Sequence, residues 1–171
     1  MSGIALGIDL GTSGVRAAVI DAAGEPVVFA TTPLDGVARR DAAALWGAVQ
    51  TTLGKLGALG AIRGVAVDGT SGTLVAIDAG GSPRAPAELY NDPAAPALVA
   101  RIAALAPGES AAHGAASPLA KLLALRARPG VARVLHEADW IAGRLRGAFI
   151  VFVWLTIFAR PKSESMSRPS A

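Results

Sequence analysis

Cysteine is absent from the 171-residue sequence. Its absence excludes disulfide bonds, thiol nucleophiles and zinc sites built on cysteine. No Gly-Lys-Ser/Thr triplet occurs, which excludes a Walker phosphate loop, and no Gly-x-Gly-x-x-Gly segment opens a helix as in dinucleotide-binding folds. Charged residues are also few, at 17%, against 52% hydrophobic residues, a balance typical of a globular chain rather than a disordered one.

Concentrated charge is equally scarce. The net charge is +3, and the segment after Arg146 supplies about two of those units, because it holds three basic residues and one glutamate. The remainder is close to neutral, so we predict no nucleic-acid partner. No basic segment precedes an apolar core at the N-terminus, and the apolar run from Ala148 to Ala159 is shorter than the ~20 residues that a membrane helix needs. We therefore expect a cytoplasmic protein without a membrane partner.

An apolar strand that ends in a carboxylate and a glycine turn opens the chain, between Ile4 and Arg16. The carboxylate is Asp9, the turn runs from Gly11 to Gly14, and a second strand follows. Backbone N–H groups and hydroxyls in such a turn can bind a phosphate, and a neighbouring carboxylate can hold a water on Mg²⁺. The alternative for the turn alone is an ordinary hairpin.

A second glycine turn, Asp68 to Gly72, follows another apolar strand predicted over Ile62 to Val67. A helix is predicted over Ala42 to Leu56, with Asp41 as its N-cap. Because this helix connects the new strand to the preceding sheet, we expect that strand to run parallel to the first one. We expect both turns at the ends of central strands, where open α/β sheets bind ligands. The two turns therefore predict a site, whether they arose by duplication or by reuse of the same turn chemistry.

The loop around Glu88 to Pro93 brings a carboxylate, an amide and an aromatic ring into one short stretch. These groups can hydrogen-bond sugar hydroxyls, or they can simply form an Asx turn before Pro93. Further helices are predicted over Ala94 to Leu105, from Ser117-Pro118 onward, and over His136 to Leu145. Lys121 on the second of these helices is interpreted as a solvent-facing residue.

Four stretches, in this order and spacing, resemble the N-terminal domain of the FGGY family of carbohydrate kinases. They are Ile8 to Arg16, Val67 to Asp78, Leu89 to Asp92, and Ser117 to Leu125 followed by His136 to Gly147. The forms D-G-T-S-G-T-L, L-Y-N-D and H-E-A-D-W-I-A-G-R-L are most similar to the subgroup associated with D-ribulose and D-xylulose. The first stretch also resembles the phosphate motif shared with actin and Hsp70.

The resemblance implies a ribonuclease-H-like α/β domain with a mixed sheet flanked by helices, and transfer of the ATP γ-phosphoryl group to a sugar hydroxyl with Mg²⁺. It implies that Asp9 organises Mg²⁺ and phosphate, directly or through water. The roles that it implies for the turn residues are phosphate contacts by Gly11, Thr12 and Ser13, with Arg16 supporting the hairpin or the phosphate charge. It implies that Ser71 and Asp92 face the sugar and that Gly72 permits close approach.

The resemblance ends at Gly147, so we predict an incomplete kinase domain over residues 1–147 and an aberrant tail over 148–171. The tail changes to aromatic and β-branched residues and then to a polar segment. It is interpreted as a strand, a short tail anchor or, preferably, out-of-frame translation. The family's catalytic base and second, nucleotide-binding domain are then missing. The alternatives are a non-catalytic sugar-binding or vestigial fragment and an actin/Hsp70-type ATPase.

Overall fold

The computed structural model describes residues 5–60 and 62–149. Within them a four-stranded sheet consists of β1 (Ala5–Gly11), β2 (Gly14–Ile20), β3 (Pro26–Pro33) and β4 (Gly64–Gly69). The strand order is β3-β2-β1-β4, with β1 antiparallel to β2 and parallel to β4. The predicted mixed sheet and α/β class are therefore confirmed.

One face of this sheet forms most of the apolar core, because side chains alternate between the two faces of a strand. Its buried side chains are Leu6, Ile8, Leu10, Val15 and Val19. Helix α1 (Ala42–Lys55) packs on them through Leu45 and Val49, which are also buried. The helix follows β3 and leads to β4, and this crossover allows β4 to run parallel to β1.

A second, two-stranded sheet pairs β5 (Leu74–Ile77) antiparallel with β6 (Arg133–His136). Three more helices surround it: α2 (Pro96–Leu105), α3 (Pro118–Arg126) and α4 (Glu137–Arg146). Helix α3 packs on both of these strands and on α2, whereas α4 contacts β4 of the first sheet as well as β5 and β6. Helix α4 therefore joins the two sheets, and its Trp140 belongs to the same apolar cluster as Leu10.

Two helix starts follow from local sequence. Asp41 caps α1 by accepting a hydrogen bond from the Ala43 amide at 2.8 Å. Ser117 caps α3 by accepting one from the Ala120 amide at 3.2 Å, with Pro118 at the first helical position. Each cap satisfies a backbone donor that the first turn of a helix leaves unpaired. Both predicted helix starts are confirmed.

The structure differs from the predicted elements at two strands. Strand β4 lies two residues later than predicted and includes Asp68 and Gly69. Strand β6 was not predicted, because its four residues are too few to show a period and lead directly into α4. In the described part of the chain no helix is long and apolar enough to cross a membrane.

The packing extends slightly past the predicted end of the domain at Gly147. Gly147 adopts the left-handed conformation that ends α4, and the Ala148 amide then donates a hydrogen bond to the Gly143 carbonyl at 3.1 Å. The ring of Phe149 packs on the main apolar cluster and fills the space beside Gly81 and Gly143, where a Cβ atom would overlap it. The rest of the tail, residues 150–171, lies outside the described residues.

Candidate functional site

The two glycine turns lie side by side at one edge of the sheet. Asp9 of β1 is the register partner of Asp68 of β4, and Leu10 is the partner of Gly69. Because these strands are parallel neighbours, their carboxyl ends, and the turns that follow, lie at the same edge. The strand order places β1 inside the sheet and, among the described strands, β4 at its border. The prediction that both turns follow central strands is confirmed for β1 and is wrong for β4, within the described strands.

A polar row crosses the sheet on the face opposite to α1. The paired positions are Thr31 on β3, Arg16 on β2, Asp9 on β1 and Asp68 on β4. Arg16 Nη1 donates a hydrogen bond to Asp9 Oδ2 at 2.9 Å. Both side chains are close to half exposed, at 46% and 49%, so solvent screens this ion pair. The pair therefore orients Asp9 more than it stabilises the fold.

The same face carries a depression of about 380 Å³. Its floor is made of small residues, including Gly7, Ala18 and Ala66, and Phe29 lines one side. Asp9, Arg16 and Asp68 are part of its lining. A ligand in this depression would meet a charged border beside an apolar floor.

The first turn needs glycine at Gly11 and Gly14, because a side chain at either position would clash. Gly14 has φ +151°, and a Cβ atom there would lie 2.9 Å from Pro33 Cα and would overlap the Thr32 carbonyl. A Cβ atom at Gly11 would lie 2.7 Å from Arg16 Nη1. Thr12 and Ser13 between them are exposed. The turn therefore presents two hydroxyls and its backbone to solvent, as an anion-binding loop requires.

A buried ion pair, Arg39 with Glu137, lies between the two turns. Arg39 is 3% and Glu137 1% exposed, and their charged groups are in contact through Nη2 and Oε2. Arg39 also donates hydrogen bonds to the Gly11 and Leu10 carbonyls at 3.1 and 3.3 Å. Glu137 Oε1 accepts one from the Thr70 amide at 2.9 Å. Burial raises the pKa of the Glu137 carboxyl, an effect that Arg39 opposes.

Lys121 is buried, and its interpretation as a solvent-facing residue is wrong. Its Nζ donates hydrogen bonds to the carbonyls of Gly72, Leu89 and Tyr90 at 3.2, 2.5 and 3.2 Å. The side chain is 2% exposed, and burial lowers the pKa of its ammonium group. Lys121 lies one turn before the buried Leu125 on α3, and the carbonyls of Leu89 and Tyr90 cover its ammonium group. Lys121 thereby joins the second glycine turn to that loop.

Asp92 is held by Arg40. Arg40 donates two hydrogen bonds of 2.6 Å, one to each Asp92 oxygen, and the Leu89 amide donates a third at 2.7 Å to Oδ2. The hydrogen bonds from Arg40 hold the pKa of the Asp92 carboxyl below its ordinary value. Asp92 is therefore ionised at neutral pH and lies at the end of a loop that Lys121 ties to the second turn.

Ser71 and Gly72 complete this group. Ser71 is exposed, whereas Gly72 is buried with φ +85°. A Cβ atom at Gly72 would lie 3.3 Å from Pro118 Cγ and 3.7 Å from Tyr90 Cα. The missing side chain of Gly72 thus admits the helix α3 start and the Tyr90 backbone. It brings Ser71 near the loop that contains Asp92.

The sequence pattern does not indicate roles for Arg39, Arg40 and Glu137. The two arginines form a 3-10 turn with Ala38, just before the Asp41 cap. Their neighbours in sequence give no sign that one is buried and the other reaches Asp92. Glu137 follows the short strand β6, and its burial depends on contacts with residues 67 or more positions away.

The donor groups at the sheet edge have the chemistry that Mg²⁺ prefers. Asp9 and Asp68 offer carboxylate oxygens on neighbouring strands, although Asp9 Oδ2 is bonded to Arg16 and Asp68 Oδ1 accepts from the Gly69 amide at 2.9 Å. Over residues 5–60 and 62–149 no group of three or more histidine, aspartate or glutamate side chains could hold a metal ion. The arrangement fits an ion held partly by water and phosphate oxygens rather than by protein alone.

The fold is similar to that of a class of known enzymes, the sugar kinases. The xylulose kinase from Bifidobacterium adolescentis matches with a TM-score of 0.71 at 25% identity, over 90% of this chain and 36% of its own. The xylulose kinase from Rhodospirillum rubrum has a TM-score of 0.67 at 20% identity, over 85% of this chain and 35% of its own. Plasmodium falciparum glycerol kinase with ADP has a TM-score of 0.61 at 15% identity, over 85% of this chain and 34% of its own.

This chain spans about a third of the length of the solved kinases that it matches. No protein-family model matches the sequence. The structural similarity supports a kinase-like transferase fold.

Proposed function

We propose that this chain forms the ribonuclease-H-like N-terminal domain of an FGGY-type carbohydrate kinase that phosphorylates a hydroxyl of a pentulose-like sugar with ATP. The observation that carries the proposal is the register of Asp9 with Asp68. This register brings the first glycine turn, which we propose binds phosphate, next to the second. The second turn is joined to the loop at residues 89–92, which we propose binds the sugar. The similarity to the Bifidobacterium adolescentis xylulose kinase supports the substrate class.

In this proposal the first turn binds the phosphate end of the nucleotide. Asp9 would hold Mg²⁺, directly or through water, and Arg16 keeps the Asp9 carboxylate in place through the 2.9 Å hydrogen bond. The backbone of Gly11 and the exposed hydroxyls of Thr12 and Ser13 face phosphate oxygens. Mg²⁺, when bound, neutralises charge on the transferred group, and the protein contributes mainly position.

The second turn and its loop bind the sugar. The Ser71 hydroxyl is exposed, and Asp92 is ionised and fixed by three hydrogen bonds. An ionised carboxylate accepts hydrogen bonds from sugar hydroxyls, and its rigid support limits the conformational entropy lost on binding. Lys121 and Gly72 hold the second turn and the loop together, so that the Ser71 hydroxyl and the Asp92 carboxylate face one substrate.

Phosphoryl transfer also needs a carboxylate base and further nucleotide contacts. Since the chain matches only about a third of the solved kinases, we propose that these groups lie outside it and that the chain alone binds without turnover. A non-catalytic sugar-binding role is the second candidate. The exposed Ser71, near the loop that contains the fixed Asp92, favours it over an ATPase without a sugar substrate.

Calorimetric titration of the full chain with D-xylulose, D-ribulose and Mg-ATP tests the proposal. We expect saturable binding of a pentulose that Ser71→Ala weakens, and binding of Mg-ATP that Asp9→Asn weakens. Asp21→Asn is the matched control, because Asp21 holds a hairpin turn at the other end of β2. Binding of a pentulose without Mg-ATP would favour the sugar-binding role. Absence of binding by a folded chain would refute both functions.

A further inference from the structure

Strand pairing between β1 and β4 ends at Leu10 and Gly69. From Gly11 and Thr70 onward the ladder no longer joins the two turns. The direct hydrogen bond between them that the structure shows, from Thr70 Oγ1 to the Leu10 carbonyl, is long at 3.5 Å. Another contact must therefore set the relative position of the turns.

We propose that Arg39 and Glu137 are positioning residues that fix the first glycine turn relative to the second. Arg39 holds the Leu10 and Gly11 carbonyls, and Glu137 holds the Thr70 amide. The contact between their charged groups joins these two anchors. The effect of this pair on ligand binding rests on the proposed function. Its effect on the relative position of the two turns is independent of that function.

The shape of the second turn depends on the same pair. A Cβ atom at Gly69 would lie 3.1 Å from Glu137 Cγ and 3.2 Å from Oε1, so the turn backbone packs directly on the Glu137 side chain. Burial raises the pKa of the Glu137 carboxyl, and the negative charge of Asp9 adds to this rise.

Stability alone does not account for this pair. Desolvation of two charges can exceed their attraction, and apolar residues of similar size are often equally stable in such a place. The pair is also incompletely bonded, because Arg39 Nη1 is buried with no partner among the described residues and Glu137 Oε2 meets Arg39 outside hydrogen-bond angles. Its completed side-chain hydrogen bonds all reach backbone, at the Leu10–Gly11 end of β1 and at Thr70 in the second turn, which indicates positioning.

The paired variant Arg39→Met/Glu137→Leu separates the two roles. It removes both charges, so we expect thermal stability within a few degrees of the wild type. Two amides that do not bond either residue report on the turns: Leu34, which donates to the Ser13 carbonyl, and Thr73, which donates to the Thr70 carbonyl. We expect their hydrogen exchange in the paired variant to rise about tenfold, the effect of losing a hydrogen bond to a charged group.

The Gly24 amide, which donates to the Asp21 carbonyl in a separate turn, is the internal control and should exchange at the wild-type rate. Arg128→Met, which removes an exposed ion pair with Glu88, is the control variant and should change neither reporter. Unchanged exchange at Leu34 and Thr73 in the folded paired variant would overturn the proposal. If that variant does not fold, Arg39→Lys replaces it, since lysine keeps the charge but cannot hold both carbonyls and Glu137. Wild-type exchange at Leu34 in Arg39→Lys would equally overturn it.

Binding of D-xylulose and Mg-ATP gives the second readout. We expect the paired variant to bind either ligand about tenfold more weakly than the wild type at equal thermal stability. Wild-type affinity in that variant would contradict the positioning role. If the wild type itself binds neither ligand, the proposed function fails, while the exchange experiment still decides whether the pair positions the turns.

Discussion

Arg40 and Asp92 form an ion pair with two hydrogen bonds of 2.6 Å, across 52 positions of the sequence. Its neighbour Arg39 turns the other way, into the core, and holds the first glycine turn. One short 3-10 turn therefore supports both the first glycine turn and the loop at residues 89–92. The backbone reinforces this support, because the Ala87 amide donates to the Arg40 carbonyl at 2.8 Å.

The Arg40–Asp92 pair makes stability depend on pH at the acid end. The pKa of Asp92 is lowered in the folded state, so its contribution is present above the unfolded pKa of about 3.9 and is lost as pH falls through the folded pKa. We expect Asp92→Asn to lower the free energy of unfolding at pH 6, and the difference from the wild type to shrink below about pH 4. Urea unfolding at stepped pH measures this. In an Arg40→Met background the same substitution should show a much weaker pH dependence; an equal one would exclude Arg40 as the cause.

Lys121→Met should destabilise the fold by about 2–4 kcal/mol, because it leaves three carbonyls without their shared donor in a buried place. Lys55→Met is the matched control. Lys55 also donates to a carbonyl, that of Thr31 at 2.7 Å, but it is exposed, and we expect a loss of about 0.5 kcal/mol. Urea denaturation of both variants gives the comparison. Equal losses would mean that the buried contacts of Lys121 are not decisive.

Gly14→Ala should destabilise the chain by about 3 kcal/mol or more, since its Cβ atom would meet Pro33 Cα and the Thr32 carbonyl at a positive φ. Gly24 also has a positive φ, +88°, but a Cβ atom there meets nothing within 4 Å. Gly24→Ala should therefore cost only about 1 kcal/mol. Thermal unfolding of the two variants isolates the steric part of the effect. A smaller loss at Gly14 than at Gly24 would contradict the turn geometry.

Phe149→Ala tests whether the fold continues beyond Gly147. The Phe149 ring packs on the main apolar cluster, so we expect its removal to cost about 2 kcal/mol. Phe29→Ala is the control, because Phe29 lies on the open face of the sheet and is 61% exposed. Its removal should cost less than about 1 kcal/mol. Chemical denaturation of the two variants checks this, and an unchanged midpoint for Phe149→Ala would place the boundary at Gly147 as predicted.

Much of the fold was predictable because its signals are local. The hairpin of β1 and β2, helix α1 with its Asp41 cap and helix α3 with its Ser117 cap follow from glycine turns, apolar spacing and capping side chains. The exact register of β4 was not predictable, because its apolar run can pair at several offsets and only contact with β1 selects one. Strand β6 depends on β5 in the same way.

In the candidate site, too, the features with local signals were predictable and those that depend on long-range contacts were not. The chemistry of the exposed groups, namely Asp9 and the turn from Gly11 to Gly14, was readable from local sequence, because short-range steric and hydrogen-bonding preferences favour a turn there. The support of these groups depends instead on long-range contacts. Arg39, Glu137 and Lys121 are charged residues that a helical or turn pattern assigns to solvent. They are buried because distant backbone carbonyls and amides provide the partners that offset the desolvation of their charges.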